Sequence, residues 1–428
     1  MKKLLIIVLS LTVLLFAAGI TGIMIYESVD ESKVPLVSVN VFSTEISPKS
    51  YYWQAAVYGG LFYKEFRSEH EDQAADIGEL SDFAADLILP EGYEASYELF
   101  YGGDFISAGG AWQLDEALYS GPGEYELSLT LEKPAGSRED YGSFSFGIKF
   151  EVPYPEPEFF AGNTSLFQGE VFVIKLINVA PHVIPAAETG LGMSIFTQQE
   201  EGVWFAAIPV GNTRAAGNYI VKARAGEHEW ETTVTVKAFS FDTQNLIIDT
   251  SNPTISVANS AEAYAEYREK IPPLYDTYDS DIYWEDTFIR PVSGRISTSF
   301  GSIRYTNSNW SNPRYHWGMD IAADEGVPVI APNDGRVVFA EYLLNTGNTA
   351  VIEHGGGLKS YYYHMNALYV NAGDMVNKGA FIGEVGSTGY STGPHLHFEM
   401  RIGNQAINPS MLFEQSASLY SLRGIQWK

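Results

Sequence analysis

The chain has 428 residues, no cysteine and only eight histidines. The lack of cysteine excludes a disulfide framework, a thiolate metal site, a cysteine nucleophile and a lipidated N-terminal cysteine together. Any metal must therefore be held by histidine and carboxylate. Basic residues are also scarce: 26 Lys and Arg stand against 53 Asp and Glu, a formal net charge of −27. That balance argues against a nucleic-acid partner, whose phosphates need a basic footprint. No H-E-x-x-H motif occurs, so no glutamate general base of that type is offered.

The deficit of positive charge is uneven. Residues 284–428 hold ten Lys/Arg and twelve Asp/Glu, a net of −2, which leaves 16 basic against 41 acidic residues, a net of −25, in the remainder. An acidic front is thus joined to a nearly neutral back. The length is too great for one ordinary core, and a few domains are expected. Tyrosine (27) and phenylalanine (24) are abundant, which favours β-structure with sizeable cores.

The N-terminus opens with Lys2 and Lys3 and then runs without charge from Leu4 to Tyr26. About 23 residues at ~1.5 Å each can cross a ~30 Å hydrocarbon layer. Residues 1–26 are either a cleavable signal peptide, with Ala17-Ala18-Gly19 as the small-residue site, or an uncleaved anchor. The apolar run beyond that site favours the anchor. Lysines before the span and acids after it place the rest outside the cytoplasm, in the cell envelope or at its surface.

Short runs of alternating apolar and polar residues, such as YEASYELFY (93–101) and GEYELSLTLEKP (123–134), describe antiparallel strands of a sandwich-like module over 34–152. After the proline-rich PYPEPEFF, a second β-module over 153–245 contains GEVFVIKLINV (169–179) and HEWETTVTVKAF (228–239). Residues 246–287 form a partly helical linker. Its helical segment, ANSAEAYAEYREK (258–270), is capped by Asn259 or Ser260 and stopped by Pro272-Pro273. Glycine-punctuated strands return in 288–412, an all-β domain, followed by a tail over 413–428. The predicted class is mainly β throughout.

Five histidines fall within this last domain: His316, His354, His364, His395 and His397. His70, His182 and His228 are scattered and read as surface or satisfied polar residues. In HWGMD, His316 and Asp320 are four apart and share a face on helix or strand alike. In HLHFEM the alternation is that of a strand, so His395 and His397 point the same way, about 7 Å apart along the backbone. A zinc ion with an open position needs three N/O donors at about 2.0–2.2 Å. His316, Asp320 and one of His395 and His397 would supply them. H-x-x-x-D and H-x-H each arise easily by chance; their joint occurrence in a histidine-poor chain is what carries weight.

YHWGMDIAADEGVPVIAPNDGRVV, YYYHMN and GSTGYSTGPHLHFEMR resemble the LytM/lysostaphin-type zinc metallopeptidases, β-sheet endopeptidases of bacterial cell-wall peptides. The resemblance covers about 291–409, with its H-x-x-x-D, Y-x-H and H-x-H elements in family order. It implies one zinc held by His316, Asp320 and His397, with His364 and His395 as the catalytic histidines. The resemblance also implies peptidoglycan peptide stems as substrate; the N-terminal anchor, which suggests a diderm cell envelope, points to direct cross-links rather than glycine bridges. His395 is expected as general base and His364 as the group stabilising the tetrahedral intermediate, with the two roles exchangeable. A non-catalytic relative that activates another wall hydrolase is the alternative. The acidic modules could meet an envelope protein partner. His354, at a strand end before three glycines, reads as structural. Glu399 could orient an imidazole or be a solvated strand-end acid. The Tyr361-Tyr362-Tyr363 run reads as β-packing.

Overall fold

A computed structural model of the chain describes all residues except 1, 42–43, 70–73, 81–89, 111–117, 286, 421 and 423–428. His70 and most of the last eight residues of the expected tail lie outside the described residues. The chain divides into two compact units, Met1–Pro155 and Glu156–Lys428.

The first unit begins with helix α1 (Lys2–Ser28), whose stretch Ile7–Ser28 is long and apolar enough to cross a membrane. A seven-stranded sheet follows, together with a short hairpin of Val39–Val41 and Thr44–Ile46. The alternation in 123–133 has a direct structural consequence. Tyr125, Leu127, Leu129 and Leu131 are all buried, and they pair across the ladder with the buried Phe150, Ile148, Phe146 and Phe144. Successive side chains of a strand alternate in face, so one register buries both apolar rows together.

The second unit opens with two four-stranded sheets, one ordered 158–161, 171–177, 203–209, 196–200 and the other 165–167, 228–237, 217–225, 186–189. Their facing rows share a core built from Phe172, Ile174, Leu176, Ile208, Val221, Val234 and neighbours. The opposite row of the same strand, Val171 and Val173, enters the core of the C-terminal domain. A strand covered on both faces accounts for the unbroken apolar run VFVI. Helix α2 (Ala261–Lys270) comes after a shorter helical turn, Pro253–Ala258. Of the two candidate caps, Ser260 makes the bond, its hydroxyl accepting from Ala263 N at 3.1 Å. Pro272 and Pro273 then turn the chain into a short 3-10 segment, Pro272–Asp276.

The C-terminal domain is organised on an eight-stranded sheet. Its path runs β1 (Arg295–Thr298), β2 (Met319–Ala322), β6 (His395–Ile402), β5 (Leu358–Met365), β4 (Gly347–Glu353) and β3 (Gly335–Leu343). In β6, Leu396, Phe398, Met400 and Ile402 face the main hydrophobic core, whereas His395, His397, Glu399 and Arg401 share the opposite face. The antiparallel register sets Asp320 against His397 and Ala322 against His395. On the other side of β6, Tyr363 lies against His397, Tyr361 against Glu399 and Lys359 against Arg401. A polar row is thus buried beneath α2 and its continuation, where Ile271, Tyr267, Leu274 and Tyr275 pack on Tyr361, Tyr363 and Phe339.

Candidate active site

Two of the histidines converge with one carboxylate at the end of this polar row. His316 precedes β2 and is clamped by its backbone, with its N–H donating to Ser302 O at 2.9 Å and its carbonyl accepting from Gly301 N at 2.8 Å. Its side-chain Nδ1 meets Ser299 O at 3.1 Å. A carbonyl only accepts, so Nδ1 carries the proton and Nε2 presents a lone pair. That Nε2 lies 3.0 Å from Asp320 Oδ1 and 2.9 Å from His397 Nδ1, and His397 Nδ1 lies 2.8 Å from the same Asp320 oxygen. His397 Nε2 in turn donates to Glu399 Oε1 at 3.0 Å. Gly318 makes this closeness possible: a Cβ there would stand 2.4 Å from Phe398 O and 2.9 Å from His397 Nε2.

Two imidazole nitrogens and a carboxylate oxygen therefore point at one another. Burial opposes a charge on His397, but hydrogen bonds to Asp320 and Glu399 prevail and raise it to about 9. Burial lowers His316 to about 4, against the pull of Asp320. Asp320 stays well below the ordinary carboxylate range: burial would raise it, and His316 and His397 hold it down. His316, Asp320 and His397 are the group among the described residues whose donor atoms lie close enough to hold a metal ion. The donor set fits one, because histidine nitrogen and carboxylate oxygen are the ligands such ions take. Each imidazole also has its far nitrogen tied to an acceptor, the usual second contact of a ligating histidine.

His395 and His364 stand beside this group. His395 Nδ1 meets Gly393 O at 2.8 Å, leaving Nε2 3.8 Å from Asp320 Oδ1. His364 Nδ1 meets Thr388 O at 2.8 Å, and its ring lies 5.0 Å from that of His395. Strict alternation along β5 would send His364 to the opposite side from Tyr363. A left-handed backbone (φ 64°) breaks that alternation and turns the ring towards the other histidines. Burial keeps both imidazoles neutral, lowering His364 to about 3 and His395 below its ordinary value.

His354 is remote from this cluster. It is fully buried, with Nδ1 on Asp334 O at 2.7 Å, Nε2 on Ser360 Oγ at 2.8 Å, and its ring edge-on to Phe288. Burial lowers it to about 4. The unfolded chain binds a proton near pH 6.5, so this residue withdraws stability as pH falls from 6.5 towards 4. His354→Ala is expected to cost about 2–4 kcal/mol in chemical denaturation, by cavity and lost hydrogen bonds. Metal content should be unchanged; a loss of metal would place His354 in the site. His182 and His228 are exposed, the latter stacked on Trp230.

Glu399 is not a solvated acid: it is buried and bonded to His397 and, at 2.8 Å, to Arg401 Nε. Burial would raise its carboxyl, but Arg401 and His397 hold it down at about 2. Tyr361, Tyr362 and Tyr363 are all buried, Tyr362 in the main core and the other two on the polar face. Sequence reasoning missed Arg304, which pairs through Nη2 with Asp320 Oδ2 and through Nε with Gln244 Oε1 at 3.3 Å. Arg304 lies in a strand (Ile303–Thr306) that pairs with Thr243–Leu246, where the second β-module meets the linker, and nothing local marks either. Arg401 was also missed, although continuing the H-x-H alternation through Glu399 points to it.

Residues 314–409 match the family model described as peptidase family M23. The chain is 43% identical over 119 residues to the DD-carboxypeptidase/endopeptidase Mpg of Neisseria meningitidis serogroup B, covering 28% of this chain and 27% of that protein. It is 38% identical over 119 residues to the murein hydrolase activator EnvC of Escherichia coli, again 28% of this chain and 27% of the relative. Little more than a quarter of each relative's length is therefore spanned. Among solved structures, the catalytic domain of the antimicrobial peptidase lysostaphin from Staphylococcus simulans is 31% identical with a TM-score of 0.26, covering 28% of this chain and 92% of that one.

Proposed function

We propose, from a C-terminal domain that belongs to peptidase family M23, that the chain is an exported, zinc-dependent endopeptidase hydrolysing peptide cross-links of bacterial peptidoglycan. The observation that carries this reading is the convergence of His316 Nε2, Asp320 Oδ1 and His397 Nδ1 within 3.0 Å of one another, with two further neutral histidines beside them. His316, Asp320 and His397 would hold the zinc. When bound, zinc supplies a Lewis acid and brings the pKa of water from about 15.7 towards 7. His395, whose Nε2 lies 3.8 Å from Asp320 Oδ1, takes the proton of the attacking water and returns it to the leaving amine. His364 hydrogen-bonds the tetrahedral intermediate, and the geometry allows the two roles to exchange. Relatives named as endopeptidases support peptide stems as substrate, and an apolar α1 supports anchoring at the envelope.

The likeness to EnvC supports a second reading, an activator of another wall hydrolase. Incubating the purified chain alone with purified peptidoglycan separates the two. Soluble peptide fragments that disappear with chelator and return with zinc are expected. Fragments released at full rate under saturating chelator would sink the zinc reading, and no fragments at all would favour the activator. Mass spectrometry of the fragments identifies the bond, expected to be the direct cross-link.

A further inference from the structure

His397, Glu399 and Arg401 sit at alternate positions of β6 and form an unbroken chain of contacts, His397 Nε2 to Glu399 Oε1 at 3.0 Å and Glu399 Oε2 to Arg401 Nε at 2.8 Å. The guanidinium end of this chain is buried as well. Arg401 Nη1 donates to Asn404 O at 2.8 Å, and Arg401 Cζ lies 4.7 Å from the ring centre of Tyr275 and 6.0 Å from that of Tyr361. Tyr275 comes from the connector, outside the 314–409 segment that matches the family model. The connector is itself fixed. Ile271 is fully buried, Tyr267 and Leu274 pack against Tyr361 and Tyr363, and the Tyr267 and Tyr275 hydroxyls meet at 3.2 Å.

An arginine over an aromatic face, shielded from water, is held by electrostatics and by packing together. Glu399 has two duties that compete for its orientation: one oxygen on His397, one on Arg401. If Arg401 is free to swing towards solvent, the carboxylate follows it or is hydrated, and the His397 ring loses the acceptor that fixes its proton on Nε2. The Nδ1 edge, which faces His316 and Asp320, is then no longer aimed at them. We propose that the connector is a positioning element of the metal centre: Tyr275 holds Arg401, Arg401 aims Glu399, and Glu399 sets the angle of the His397 ring. This rests on the metal site proposed above. It adds that a segment outside the family domain tunes the affinity of that site.

The test uses the full-length chain in detergent. Tyr275→Leu keeps apolar volume over Arg401 but removes the ring face; Tyr275→Phe keeps the ring. Zinc affinity is measured by competition with a chromophoric chelator, and the His397 imidazole is followed in long-range 1H–15N spectra. Tyr275→Leu is expected to bind zinc about 10–100-fold more weakly and to lose or broaden the His397 Nε2–H signal, while Tyr275→Phe stays within about twofold of the parent. Unchanged affinity in Tyr275→Leu overturns the proposal. So does weakened affinity with an unaltered Nε2–H signal, which is the pattern of simple loss of packing. A parent chain that binds no zinc would defeat the metal reading instead, and the His397 signal of the metal-free pair would still report whether Tyr275 acts through Arg401.

Discussion

Asp320→Ala is expected to abolish metal binding and to lower peptidoglycan hydrolysis by at least about 10³-fold. Asp320 Oδ1 is the one atom in contact with both His316 Nε2 and His397 Nδ1, so its removal leaves two lone-pair nitrogens facing each other with no anion to balance a cation. Its other oxygen is the partner of Arg304, which would be left as an uncompensated charge beside the same space. The same electrostatics fix how the parent responds to pH. In the metal-free chain, His397 holds a proton up to about pH 9, and the metal must displace it. Affinity should therefore weaken by about tenfold for each pH unit below that value until other groups titrate. Elemental analysis of the purified variant, with a chelator-competition series across pH for the parent, measures both effects. Full metal content in Asp320→Ala, or pH-independent affinity in the parent, would show that the three residues do not form the site.

The parts of this site that were legible were those with local spacing. H-x-H on an alternating strand placed His395 and His397 on one face, and β6 has that geometry. H-x-x-x-D allowed His316 and Asp320 to converge, though whether with His395 or His397 depended on register. The resemblance to known peptidases named His397; in the structure Asp320 stands opposite His397, a register between strands more than seventy residues apart that leaves no trace in either strand. His364 is a harder case. A plain period-2 reading of β5 turns it away from the cluster, and it takes part because one residue adopts a left-handed backbone. The resemblance to known peptidases supplied it where periodicity could not. Arg304 and Tyr275 were not legible at all, since an arginine in a four-residue strand and a tyrosine after two prolines carry no pattern. The mainly β class and the apolar N-terminal helix followed from composition and alternation, both properties of the local chain.

His364→Ala and His395→Ala should each keep the metal yet lower turnover by about 10²–10⁴-fold, the range for a lost general acid–base group. Neither side chain belongs to the convergent three-atom group, which is why metal content should not follow activity. The two residues differ in what holds them. His395 sits at the start of β6 with Nδ1 on Gly393 O, and its Nε2 is 3.8 Å from Asp320 Oδ1. His364 is anchored by Thr388 O at its ring and by Thr346 O at its backbone N–H, both at 2.8 Å. Proton acceptance needs neutral imidazole. Burial lowers the pKa of both rings, to about 3 for His364, so the neutral form persists to lower pH than for free histidine. The acid limb of the kcat profile should accordingly fall below pH 6.5, the ordinary imidazole value. In His395→Ala that limb should flatten over the same interval, because the group whose protonation causes it is gone. Stopped assays on a soluble cross-linked peptide between pH 4 and 8 give both profiles. A limb that persists unchanged in His395→Ala would move the general-base role to His364.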